Sequence, residues 1–81
     1  MNIYRHQFIV QCPANRQAIV YQLEVRSDKM IYVEKIAVAC QMWAQEYHEK
    51  IADALALQFP GTVQVLRAHH HGVDVETHRR A

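Results

Sequence analysis

The sequence predicts an α+β fold, a four-stranded antiparallel sheet in the order β-β-α-β-β with one long helical segment across one face. Three observations lead there. Apolar and polar residues alternate on both sides of Pro13, the period of half-buried strands. From Val33 the apolar spacing lengthens to three and four residues, the period of one helix face. Beyond Phe59-Pro60-Gly61 the alternation returns. Strands that precede and follow a single helical run put the helix on one side of an antiparallel sheet.

The first strand is "YRHQFIVQC", with Phe8, Val10 and Cys12 on one face. "PANR" then supplies the residues of a hairpin-type connection, because proline presets φ and asparagine bonds its own backbone. "AIVYQLEVR" alternates cleanly: Ile19, Tyr21, Leu23 and Val25 face one way, and Val20, Gln22, Glu24 and Arg26 the other. The helical stripe runs through Ile36, Cys40, Trp43, Tyr47, Ile51, Ala54 and Leu55. A straight helix from Val33 to Phe59 would span roughly 40 Å at 1.5 Å per residue, against about 27 Å for strands of eight residues. The helix therefore overhangs the sheet or breaks, and "WAQEYHE" is the expected break. The last strands are "TVQVLRAH" and "GVDVETHR", with Val73, Val75 and Thr77 sharing a face and a tight hairpin near Gly72.

The 81 residues make one domain, residues 1–81. A chain this short buries only about 60% of its unfolded surface, and a lone sheet leaves strand edges unpaired. A homo-oligomer is the expected state. The net charge is +1, and the basic residues form no stripe, which disfavours counterion-driven nucleic-acid binding. No segment approaches the roughly 20 apolar residues of a membrane span, and "MNIYRHQ" has no signal-peptide pattern. Two cysteines suit a reducing compartment, so the expected location is the cytoplasm, with no membrane partner.

Chemistry can be sought at three places. Cys12 ends a strand beside a turn. Free cysteine is a common core filler, but proline after it ends ladder pairing and lets the thiol sit at the sheet rim. His48 and Glu49 lie beside the helical stripe, where solvated surface is the plain reading, and Glu34 opens the helix, where a carboxylate complements the macrodipole. The run His69-His70-His71 raises zinc, with His69 and His71 on one face and His78 near them. The spacing is no zinc signature and no carboxylate supports it, so no metal is assigned.

Taken together, Cys12-Pro13 with Gln17, Val33-Glu34-Lys35, His48-Glu49 and Gly72-Val73-Asp74-Val75 form an ordered pattern. It resembles the tunnelling-fold (T-fold) family, in the group of nitrile reductases and amidotransferase-like enzymes that act on 7-cyano-7-deazaguanine in queuosine and archaeosine biosynthesis. The resemblance spans about residues 8–76. It implies that Cys12 attacks the nitrile carbon to give a thioimide, that His48 assists, and that Glu49 grips the guanine-like edge. It implies further that Glu34 joins from a neighbouring subunit, so that the purine-like ligand sits between subunits. The family's aspartate position holds Ile19, and Arg16 replaces a glycine. A reductase would need NADPH, and no nicotinamide-binding insert fits so short a chain. A relative using ammonia on the same nitrile, with tRNA as its modification substrate, needs no cofactor. The competing expectation is a non-enzymatic β-β-α-β-β association module, a phage or plasmid-type adaptor in which Cys12 is core. Rapid labelling of Cys12, blocked by a deazaguanine, separates the two.

Overall fold

The computed structural model describes all residues, Met1–Ala81. The chain forms β1 (Asn2–Gln11), β2 (Ala18–Ser27), α1 (Val33–Cys40), α2 (His48–Gln58), β3 (Val63–His70) and β4 (Val73–Arg80). The strands make one antiparallel meander in the order β1-β2-β3-β4. In register, Phe8 faces Tyr21, Leu23 faces Leu66, and Leu66 faces Thr77. With a side-chain period of two, that register lines one face with Phe8, Val10, Tyr21, Leu23, Val25 and Leu66. All six are buried. No helix is long and apolar enough to cross a membrane.

Both helices cover this apolar face. α1 contributes Ile36, Ala39 and Cys40, and α2 contributes Ile51, Ala52 and Leu55. Each fully buried Leu or Ile of this set stabilises the fold by about 1.5–3 kcal/mol through apolar burial. Two buried polar side chains tie α2 to the sheet. Gln64 on β3 donates from Nε2 to the Leu55 carbonyl at 3.2 Å and to Thr62 Oγ1 at 2.9 Å. Thr62 in turn donates to the Phe59 carbonyl at 2.6 Å. An otherwise orphaned helix-end carbonyl is thereby satisfied.

The long helix does break, and earlier than "WAQEYHE" suggests: residues 41–47 leave the helical path and His48 begins a new helix. The intervening segment docks on the end of β1. Gln11 N–H donates to Ala44 O at 3.0 Å, and Glu46 N–H donates to Gln11 O at 3.2 Å. These bonds replace helix bonds that would otherwise be lost, which is why the break is tolerated. The break also alters the expected stripe. Trp43 is only half-buried against the core, and Tyr47 is 51% exposed. With Tyr47 as the N-cap of α2, its side chain no longer follows the phase of α1.

The β3–β4 hairpin turns on His71 and Gly72, both with positive φ (52° and 74°). Paired left-handed residues match the twist of a two-residue hairpin. His71 therefore lies in the turn rather than on the strand face of His69. His69 Nδ1 instead meets Asp74 Oδ1 at 2.7 Å, and His78 Nε2 meets Glu76 Oε2 at 2.6 Å. No three metal-ligating side chains converge.

Candidate functional site

Cys12 follows β1 directly and opens the loop to β2. Its N–H donates to Gln17 O at 2.9 Å, and its carbonyl accepts from Arg16 N–H at 2.7 Å. Asn15 Oδ1 accepts from Gln17 N–H at 3.0 Å, and Arg16 takes a left-handed φ of 59°. Proline stops the ladder and the loop curls on itself, so the Cys12 side chain turns inward. It is 8% exposed and belongs to the core cluster.

The docked segment after α1 brings α2 alongside. Because Ala44 and Glu46 are bonded to Gln11, the residue before Cys12, the first turn of α2 starts near the same end of β1. His48 enters the core face there, half-buried, with its ring 5.3 Å from that of Tyr21 at 55°. Tyr21 stacks on its other side against Phe8, at 5.5 Å and 19°. His48 Nε2 lies 3.1 Å from the Leu66 carbonyl. A carbonyl only accepts, so Nε2 carries the proton and Nδ1 is the free lone pair. Burial lowers the His48 pKa. The Leu66 carbonyl and the Glu49 carboxylate oppose that effect, and Arg79 adds to it. The ring is neutral around pH 7.

Tyr21 links the cysteine and the histidine. Its phenol pKa is raised, mainly by burial and further by charge coupling to Cys12. Tyr21 is 1% exposed, and no buried side-chain nitrogen or oxygen is left without a partner. Tyr21 and His48 are in contact, Cys12 belongs to the same core cluster as Tyr21, and Glu49 is exposed in the adjoining first turn of α2.

Glu34 lies apart. It is exposed in the first turn of α1 and lines a cleft of about 930 Å³, with Met30, Tyr32, Met42 and Phe59 among its walls. Cys12, His48 and Glu49 are absent from that lining. Ser27, at the cleft, pairs with Asn2, at the opposite end of β1 from Cys12. A ten-residue strand is about 33 Å long.

Sequence reasoning missed Tyr21, which reads as one more apolar residue of an alternating strand. A phenol in an otherwise aliphatic row was the available signal, because a buried hydroxyl needs a partner or an opening.

No protein-family model and no curated protein matches the sequence. Among solved structures the fold is similar to "Crystal structure of the archaeosine synthase QueF-Like in the apo form", with a TM-score of 0.78 at 15% identity. The match covers 96% of this chain and 89% of that one. At this identity the likeness is one of fold, an α+β arrangement with a four-stranded antiparallel sheet as the sequence pattern leads one to expect.

Proposed function

We propose that the protein binds a 7-deazaguanine or similar purine-like ring bearing a nitrile, and that Cys12 captures the nitrile carbon as a thioimide. What supports this reading is that Cys12 lies in the same core cluster as Tyr21, whose ring contacts His48. The fold shared with an archaeosine synthase supports the same chemistry.

The sulfur adds to the nitrile carbon, one C–N π bond becomes an N–H bond, and a C–S bond forms. Ammonia or another amine then attacks that carbon, the C–S bond breaks, and the thiol returns with an amidine as product. Covalent capture splits one hard step into two easier ones. Glu49 accepts hydrogen bonds from the ring N–H and exocyclic amine of the guanine-like edge. Glu34 completes the pocket from a second subunit, since it lies toward the other end of its own sheet. The proposed chemistry ends at amine displacement and consumes no hydride.

The burial of Cys12 favours the second reading, an association module whose thiol is structural. Intact-mass analysis after incubation with 7-cyano-7-deazaguanine decides between them. A nitrile-sized adduct that persists in Cys40→Ala and vanishes in Cys12→Ala supports the thioimide. An unmodified wild-type protein that still assembles identifies the module.

A further inference from the structure

We propose that the sheet face turned away from the helices binds a phosphate monoester, with its phosphate between Arg5 and Arg67 and its organic group on the apolar residues beside them. This site is separate from the Cys12 chemistry and does not depend on it.

Strand alternation builds the site. The helices cover the face of Phe8, Tyr21, Leu23 and Leu66, so Arg5, Gln7, Gln22, Glu24 and Arg67 point the other way. In register Arg5 faces Glu24, Gln7 faces Gln22, and Gln22 faces Arg67. These five residues line a hollow of about 210 Å³. Neighbouring strands lie about 4.8 Å apart, so the arginines of β1 and β3 reach inward over β2 from both sides. Arg5 Nε and Arg67 Nη1 approach the same oxygen, Glu24 Oε1, at 3.1 and 3.8 Å.

The two guanidiniums are held in place with donors to spare. Arg5 donates from Nε to Glu24, and Arg67 donates from Nε to Glu76 Oε1 at 2.8 Å. Each spends only Nε within hydrogen-bond distance, which leaves the Nη groups for a ligand. A ligand can reach them, because the Arg5 side chain is 69% exposed and that of Arg67 42%. Forks fixed beforehand lose little freedom on binding. Three arginines, Arg5, Arg26 and Arg67, meet two carboxylates, Glu24 and Glu76, so one positive charge is left over for an anion. A phosphate has oxygens enough to meet both forks and the Gln7 and Gln22 amides together. A carboxylate has only two.

The surroundings favour an ester over the free ion. Two residues further along the strands Ile9 faces Val20, and both are exposed. Val20 and His69 line a second hollow of about 480 Å³ that meets the first at Gln22 and Arg67. An apolar group attached to the phosphate would cover these residues, and a bare phosphate would leave them in water.

The test titrates the full chain with inorganic phosphate and with phenyl phosphate at constant ionic strength, following the Gln7 and Gln22 amides and the arginine Nε–H signals by NMR. Saturable shifts at these residues are expected, with phenyl phosphate the tighter ligand. Arg67→Gln should weaken binding about tenfold or more, the worth of a hydrogen bond to a charged group. Arg26→Gln removes the same charge from the same face, but Arg26 lines neither hollow. It should weaken binding less than about threefold, the scale of an exposed surface charge. Arg67→Lys guards against misfolding, since it keeps the charge and the stem. With thermal unfolding unchanged it should still lose affinity, because an ammonium has no fork. Equal losses for Arg26→Gln and Arg67→Gln, or shifts that chloride reproduces at the same ionic strength, overturn the site. Equal affinity for the two probes overturns the ester and identifies free phosphate as the ligand.

Discussion

Glu24 sits on the polar face of β2, where alternation puts it, yet it is 4% exposed. Three arginines cover it: Arg5 at 3.1 Å, Arg26 at 3.0 Å and Arg67 at 3.8 Å. Burial pushes its carboxyl upward, but hydrogen bonds and charge from Arg26 and Arg5 outweigh that and hold the pKa below the ordinary value. The sign follows from linkage. A lowered folded pKa gives stability that is present above the unfolded value, about 4.3, and is lost as pH falls through the folded one. Glu24→Gln should cost about 1.5–3 kcal/mol at neutral pH, the range for hydrogen bonds to a charged group. The loss should shrink on acidification, as urea unfolding at several pH values would show. His48 behaves alike in sign: its lowered pKa supports the fold above about 6.5 and weakens it as pH falls below that, a dependence that His48→Gln should remove. The Cys40 thiol offers a further check. Burial pushes Cys40 up to about 12, so it should resist alkylation at neutral pH in the folded protein. Faster labelling of Cys40 than of Cys12, read by peptide mass mapping, would count against a reactive Cys12.

At the scale of elements, the hairpin and the helix break carry separate predictions. Around Gly72 nothing lies within 4 Å of an added Cβ, so substitution there meets no clash and tests backbone conformation alone. Gly72→Val should destabilise by about 1–3 kcal/mol, the cost of a β-branched residue at positive φ. Gly72→Asn should cost much less, because asparagine tolerates that region. Equal losses in thermal unfolding would exclude a left-handed turn. The break in the helix separates two aromatic residues that periodicity alone treats alike. Leu55, fully buried in α2, should lose about 2–5 kcal/mol on truncation to alanine. Trp43→Ala should lose less than a fully buried tryptophan would, since the ring is half-covered, and Tyr47→Ala should stay within about 0.5 kcal/mol as an exposed position. A large loss for Tyr47→Ala in the isolated subunit would mean that residues 41–47 continue the helix.

The whole molecule leaves much apolar surface open for 81 residues. Val73 and Val75 on edge strand β4, Val38 and Met42 on and just after α1, and Leu57 on α2 are all exposed. Open strand edges and apolar patches together invite pairing with further copies. β1 and β4 are the free edges, and joining them between copies extends the sheet. Native mass spectrometry of the untagged protein should therefore give multiples of 9.5 kDa. A monodisperse monomer at micromolar concentration would overturn this and remove the means by which Glu34 of one copy reaches Cys12 of another. In the oligomer, Glu34→Gln should weaken ligand binding without altering Cys12 alkylation, which separates a binding carboxylate from one that tunes the thiol.

Local periodicity by itself determined the four strands, the buried row Ile19, Tyr21, Leu23 and Val25, the helical nature of the central segment and the turn at Gly72. Each depends on side-chain direction over a few residues, and a strand or helix repeats that direction at a constant interval. The strand-to-helix length mismatch also made a break in the helix expected, because two rigid elements of unequal span cannot cover one another end to end. Only the tertiary structure decided where the break falls, since Gln11 offers its backbone groups to Ala44 and Glu46 across 33 and more residues of chain. The same docking decided that Tyr47 faces solvent and that His48 meets Tyr21. The three arginines around Glu24 were likewise invisible in the sequence. All are contacts between residues far apart along the chain, and packing in three dimensions selects such contacts where no local pattern encodes them.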